Sequence, residues 1–259
     1  MDTTLHTPET IYSPRHVPSW IMLAASAGAV NGFAFVMCKQ FVTHLSGTFT
    51  ELGLQSWRPE LVFDSAAIIL SFILGAVASV VVLYARAGAG DRPRWATPLV
   101  SVTLLLIACA VAGRAGLFGP VGGTPDGAEP PVLLLSLLSF AMGAQNAAVA
   151  ATTGLAVRTT HVTGPATDLG IHLATAIFAS GKERRNALRG ALLRGGKILA
   201  FGVGAGLSVP LTATLDYLAL LVPASGIAFA TVLSFNVATK TREAPGSWFP
   251  WPMKATDGR

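Results

Sequence analysis

Thr43-His44-Leu45-Ser46-Gly47-Thr48-Phe49-Thr50-Glu51-Leu52-Gly53 returns later in the chain as Thr160-His161-Val162-Thr163-Gly164-Pro165-Ala166-Thr167-Asp168-Leu169-Gly170. Thr, His, Gly, Thr, Leu and Gly recur in register, Ser46 becomes Thr163, and Glu51 becomes Asp168. The two stretches are polar, and apolar segments flank both. Gly28-Ala29-Val30-Asn31 before the first copy is echoed by Gly143-Ala144-Gln145-Asn146 before the second. A chain made of two related halves, with its working site where the two copies meet, is the reading this repetition suggests.

The composition fixes the class. Of 259 residues, 52% are hydrophobic and 12% charged, against about 25% charged in a soluble domain. Mean hydropathy is +0.58. Residues 17–38, 65–85, 95–113, 132–157 and 217–239 contain no Asp, Glu, Lys or Arg. About 20 apolar residues suffice for a helix to cross the hydrocarbon core. The fold class expected is all-α, a multi-pass membrane protein whose partner is the lipid bilayer. The net charge of +5 does not point to nucleic acid, because the basic residues lie between apolar spans, where they set orientation. Cys38 and Cys109 fall in apolar segments and form neither a disulfide framework nor a metal-finger spacing; they read as packing residues.

In chain order, residues 1–16 form a polar N-terminal tail without a cleavable leader, and residues 17–239 form one membrane domain. Six spans are expected, near 20–38, 61–85, 95–113, 131–153, 198–215 and 217–239. Trp20 suits an interfacial anchor. Residues 114–130, with Asp126 and Glu129, read as an exposed loop, and residues 240–259, with three prolines, as a flexible tail. Repeat one would cover about 19–113 and repeat two about 131–239. Three spans is an odd number, so the second copy would enter from the opposite face, giving two inverted three-helix repeats. Arg86, Arg92, Arg94, the 182–197 cluster, Lys240 and Arg242 then fall on one side, which places both termini in the cytoplasm. An eight-span alternative, with both motifs crossing, would move Arg86, Arg92 and Arg94 outside. The 182–197 cluster reads as a basic amphipathic segment on the anionic leaflet and a topology determinant.

Each motif has the composition of a helix start after a chain break, a broken or half-helix. Ser46, Thr48 and Thr163 are capping residue types, Thr48 and Glu51 have capping-box spacing, and Pro165 suits a first turn. Such a start presents free N–H donors and partial positive charge. Irregular backbone at membrane depth survives where it is buried or lines a cavity. Plain capping accounts for these residue types as well; a cap does not call for histidine, however, and His44 and His161 stand at matching positions. The candidate solute or proton pathway is therefore Asn31, His44, Ser46, Thr48, Glu51, Asn146, Arg158, His161, Thr163, Asp168 and His172. Glu51 and Asp168 are either proton carriers or solvated caps; Asn31 and Asn146 are either interhelical hydrogen-bond partners or site-lining groups. Asp168, four residues before His172, reads as a buried acid. No catalytic, metal or cofactor pattern is present: Asp168, His172 and His161 lack a recognised ligand spacing, and Ser46 near His44 lacks a visible oxyanion site.

Val42-Thr43-His44-Leu45-Ser46-Gly47-Thr48, Phe140-Ala141-Met142-Gly143-Ala144-Gln145-Asn146 and Arg158-Thr159-Thr160-His161-Val162-Thr163-Gly164 resemble the YoaK family, bacterial six-helix inner-membrane proteins classed as a domain of unknown function. The resemblance spans about residues 17–238. Thr48 stands where the family often has Asn, His161 where it often has Tyr, and Asp168 where it often has Asn. The resemblance implies six helices and the inner membrane, and no particular reaction. The function expected is a secondary transporter or permease for a small polar solute, not an enzyme. The alternative is a sensor or assembly partner whose motifs only brace helix breaks. Gly28, Gly32, Gly202 and Gly206 can pack within a protomer or between protomers, so a homo-oligomer is one further expectation.

Overall fold

A computed structural model of the protein describes residues 4–87, 94–120 and 131–235. The 240–259 tail, Asp126 and Glu129, Lys240, Arg242 and the turn carrying Arg92 lie outside the described residues. Among the described residues every regular element is helical: α1 (Pro8–Ile11), α2 (Val17–Cys38), α3 (Leu45–Leu54), α4 (Pro59–Ala87), α5 (Thr97–Arg114), α6 (Val132–Thr152), α7 (Thr163–Phe178), α8 (Gly181–Leu215), a 3-10 turn (Asp216–Leu220) and α9 (Leu221–Ser234). Among the described residues five segments are long and apolar enough to cross a membrane: Val17–Cys38, Val62–Ala85, Thr97–Arg114, Val132–Thr152 and Gly181–Ser234. These apolar helices are compatible with a multi-pass membrane protein. The two motifs form α3 and α7 and connect longer helices. At ~1.5 Å per residue, the ten residues of α3 are too short to cross a bilayer by themselves.

The Gly181–Ser234 segment is folded back on itself. Along α2, Ile21 lies at Gly196, Ala25 at Gly204, and Gly32 at Ala205 and Ser208, so α8 runs in the same direction as α2. Gly226 lies at Ser26 and Met22, and Ser234 bonds Ser19 at 2.6 Å and His16 at 2.8 Å. Thus α9 runs opposite to α2, and the chain reverses at Asp216, whose φ of 61° is left-handed. Asp216 also pairs with Arg114 at the end of α5.

Two close helix crossings organise the bundle. A Cβ on Gly28 would overlap the backbone carbonyl of Phe201, and one on Gly204 that of Ala25. In the other half, a Cβ on Gly143 would overlap the carbonyl of Phe72, and one on Gly75 that of Phe140. The same contact is made twice: Ala25 and Gly28 stand to Phe201 and Gly204 as Phe140 and Gly143 stand to Phe72 and Gly75. Accordingly α2 packs most extensively on α8, and α4 on α6. Without a hydrophobic drive between helices in lipid, such backbone-to-backbone approach is a main source of association. Gly28 and Gly32 are used inside the protomer; Gly202 and Gly206 have nothing within 4 Å. Cys38 and Cys109 are buried free thiols in the apolar core.

The polar N-terminal segment is docked on the bundle over residues 4–16, and the interfacial place expected of Trp20 is corrected. Leu5 and His6 donate backbone bonds to the Thr152 carbonyl at 2.8 and 3.0 Å. His6 sits edge-on to His16, Trp20 and Phe235, and burial, with His16 beside it, holds its imidazole down at about 4. Trp20 is 0% exposed and donates to the Ile11 carbonyl at 3.0 Å. It lies under the N-terminal segment instead of at the lipid interface, because that segment covers it.

Replacement of Gly143 by Ala is expected to force the α4–α6 crossing apart, since the opposing atom is backbone and cannot rotate away. Overpacking of this kind costs roughly 1–3 kcal/mol. Gly202→Ala, on an open face, should instead leave stability unchanged or raise it by up to ~1 kcal/mol through helix propensity. Thermal unfolding of both variants in detergent checks the contrast; equal effects would contradict the crossing.

Candidate functional site

Each motif is entered by a short strand of chain held from the helix before it. Asn31 on α2 accepts the backbone N–H groups of Val42 and Thr43, both at 3.1 Å. Asn146 on α6 accepts the N–H of Thr159 at 3.1 Å, the position equivalent to Val42. Both side-chain carbonyls therefore brace the helix break, which is the interhelical option for these residues. Beside Asn146, the buried Gln145 donates to Thr159 Oγ1 and to the Leu23 carbonyl, each at 3.0 Å, tying motif two to α2.

The capping expectation is corrected. The N-cap residues are His44 for α3 and Val162 for α7, and neither helix has a side-chain cap bond. Ser46 and Thr163 already lie inside the first turn. Thr48 Oγ1 turns back to the His44 carbonyl at 3.3 Å, Thr50 to Ser46 at 2.9 Å and Thr167 to Thr163 at 3.2 Å. With the loop bound by Asn31 or Asn146, each helix begins one or two residues early and leaves these hydroxyls to bond within it. Pro165 is buried in the first turn of α7, as its fixed φ allows. Gly47 has a specific duty: a Cβ there would come 2.8 Å from His44 Nδ1, because the ring folds back over the turn.

Among the described residues each motif lines a pocket of its own, whereas the sequence leads to the expectation of one site where the copies meet. Motif one borders a cavity of about 30 Å³ with His44, Gly47, Thr48 and Glu51, room for about one water. Phe41, stacked on Phe35 at 4.6 Å and edge-on to His44, also lines it. Motif two borders a cavity of about 240 Å³ with Arg158, His161, Gly164, Pro165 and Asp168, and α8 adds Arg194 and Lys197. The separation follows from the packing: α3 lies against α4, and α7 against α8.

Asp168 is not buried. Its side chain is 51% exposed and pairs with Arg194 Nε at 3.1 Å. Arg194 also donates to the Tyr12 hydroxyl at 3.3 Å, linking the pocket wall to the docked N-terminal segment. Lys197 is 6% exposed, and its ammonium donates to the Arg158 carbonyl at 3.0 Å. Burial, then Arg158 and Lys197, lower the His161 pKa below its usual 6.5. His172 lies over Gly190 on α8; burial and Arg194 lower its pKa too, opposed by Asp168. Glu51 borders the small pocket, His44 and Ser46 are exposed, and Thr48 is buried. Among the described residues no group of three His, Cys, Asp or Glu could hold a metal ion.

Residues 19–233 match the profile of a family described as a protein of unknown function, DUF1275. The chain belongs to the DUF1275 family. The YoaK proteins are known under that family, in agreement with the resemblance carried by the motifs. Neither the curated proteins nor the solved structures contain a significant match to the chain.

Arg194 and Lys197 line the pocket but are absent from the candidate pathway that the sequence suggests, where the 182–197 cluster is a basic amphipathic segment. The cluster forms the first half of the 35-residue α8. Gly190, Leu193, Lys197, Gly204, Ser208 and Thr212 are buried at helical spacing along it. Extending the periodicity of the apolar half back through the charges would have turned Lys197 inward.

Two measurements test this geometry. Asn31→Leu strands two buried N–H groups and Asn146→Leu one, at about 1–3 kcal/mol each, so the first variant should melt lower than the second. The depressed pKa of His161 means that the unfolded chain takes up a proton below pH 6.5 before the folded protein does. Its contribution is unchanged above pH 6.5 and destabilising as pH falls below it. The melting temperature of the wild type relative to His161→Gln should therefore drop on acidification from about pH 7.5 to 5; a rise would contradict the desolvated neutral ring.

Proposed function

We propose that this family member is a secondary transporter or permease for a small polar solute. In this reading two inverted three-helix repeats cross the bacterial inner membrane six times, with both termini in the cytoplasm. The carrying observation is the twice-made glycine crossing, Gly28 with Phe201 and Gly143 with Phe72. It relates α2 to α6, α4 to α8 and hence α3 to α7, so that each motif and its pocket occupies an equivalent place in its own half. Transporters built from inverted repeats use such equivalent broken elements as the two ends of one pathway. The reversal at Asp216 supports counting α8 and α9 as separate crossings. The docked N-terminal segment beside the basic half of α8 supports a cytoplasmic N-terminus through the positive-inside rule. The solute is moved, not transformed.

A second reading, a non-transporting sensor or assembly partner, is favoured by one observation: the pockets are separate, and Asn31 and Asn146 are spent on bracing the loops. Uptake of a metabolite panel into vesicles holding purified protein separates the two. The transporter reading expects Asp168→Asn to cut uptake at least tenfold and Glu51→Gln to cut it less. The melting shift of Asp168→Asn should stay within the ~0–1 kcal/mol of a partly exposed ion pair. Normal uptake by Asp168→Asn across about pH 6 to 8 would remove Asp168 from the mechanism.

A further inference from the structure

The two pockets occupy equivalent places but differ in charge. Glu51 is the one charged side chain bordering the motif-one pocket. The motif-two pocket is bordered by Arg158, Arg194 and Lys197 against the single carboxylate of Asp168, an excess of two positive charges with His161 neutral. Asp168 is already engaged by Arg194 at 3.1 Å. Lys197 carries the argument. It is 6% exposed, its ammonium has one hydrogen bond, to a neutral carbonyl, and among the described residues it makes no ion pair.

A buried ammonium with no direct ion pair is costly, and an ammonium has three donors to satisfy. Ionisable groups at such sites in membrane proteins mark ligand pathways. The remaining wall supplies complementary donors. Arg158 is exposed at the cavity, and α7, with no side-chain cap, begins there at Thr163 and Gly164. A helix start of this kind favours an anion. The cavity of about 240 Å³ is smaller than the ~300–1,000 Å³ of drug-sized sites.

We infer that the motif-two pocket binds a phosphate group, held by Lys197 and Arg158, with His161 and the first turn of α7 completing the donor set. A phosphate monoester carries roughly −1.5 to −2 at pH 7, which matches the excess charge; a carboxylate would leave one cation unmatched. The phosphate belongs either to a small phosphorylated solute or to an anionic lipid headgroup. As a statement about cargo, the inference rests on the transport reading; as a statement about the pocket, it does not.

The test uses the full-length protein in detergent, titrated with inorganic phosphate at constant ionic strength against chloride, with melting temperature and calorimetric binding as readouts. Phosphate is expected to raise the melting temperature saturably. Lys197→Gln and Arg158→Gln should each weaken its binding at least tenfold. Without phosphate, Lys197→Gln should melt higher than the wild type, because the uncompensated charge is gone. Asp168→Asn should bind phosphate more tightly, and Lys39→Gln, near the other motif, should bind as the wild type does. Arg158 is exposed, so its variant keeps the test alive if Lys197→Gln does not fold. Nanodiscs containing phosphatidic acid, whose headgroup is a phosphate monoester, or phosphatidylcholine alone separate the sources. Phosphatidic acid retained in native mass spectra, lost in Lys197→Gln and competing with phosphate assigns a headgroup; phosphate binding indifferent to it assigns a soluble ligand. Binding of neither, or binding insensitive to both Lys197 and Arg158, overturns the inference. Phosphate binding that depends on these residues without uptake of any phosphorylated solute would keep the site and reject the transport reading. Uptake of an uncharged solute by Lys197→Gln at the wild-type rate, unaffected by phosphate, would keep transport and reject the site.

Discussion

Four glycines let backbone meet backbone at two helix crossings, and the rest of the molecule depends on that approach. Gly28 and Gly204 bring α2 onto α8; Gly143 and Gly75 bring α6 onto α4. In lipid there is little to gain from burying one apolar side chain against another, so close main-chain packing decides which helices pair. The pairing is crossed between halves: the first long helix of each half embraces the long helix that follows the motif in the other. The motif helices are thereby hung at separate places, each against the helix that follows it in the chain.

A second constraint acts at the helix breaks. Backbone that leaves a helix inside a membrane protein must find hydrogen-bond partners there. Asn31 and Asn146 provide them, from equivalent turns of α2 and α6, to equivalent residues ahead of each motif. This division of labour frees the motif hydroxyls from capping and leaves the two histidine rings over the first turns of α3 and α7. From a common frame the two copies then diverge through side-chain volume and charge. Phe41, stacked on Phe35, lines the first pocket, whereas Leu155 and Ala156 line the second beside Arg158 and Lys197. One half carries a small, acidic version of the site, and the other a larger, cationic one.

The N-terminal segment belongs to this second site as much as to the fold. Its backbone is fixed on α6 through Thr152, its carbonyl at Ile11 receives the Trp20 indole, and its Tyr12 hydroxyl meets Arg194. The position of Arg194, and through it of Asp168, is therefore set partly by residues far away in sequence and polar enough to pass for a tail.

The sequence by itself determined the all-helical, apolar class, the places of α2, α4, α5 and α6, and the recurrence of the motif. Charge-free runs of membrane length ended close to where α2, α4, α5 and α6 end, because a break in apolar character is a break in what lipid can accommodate. The matching of Asn31 with Asn146 and of His44 with His161 was legible because duplication preserves order along the chain. Tertiary structure decided everything that depends on which helix lies across from which. It turned Lys197 inward, buried Trp20, exposed Asp168 and gave each motif a pocket of its own. Periodicity reports the face of a helix that is buried; the partner that buries it is chosen by close approach at a few small residues, between positions more than a hundred residues apart for α2 and α8. Those distances in sequence carry no local signal, so the motif residues could be named, but Arg194 and Lys197 could not be joined to them until the crossings were known.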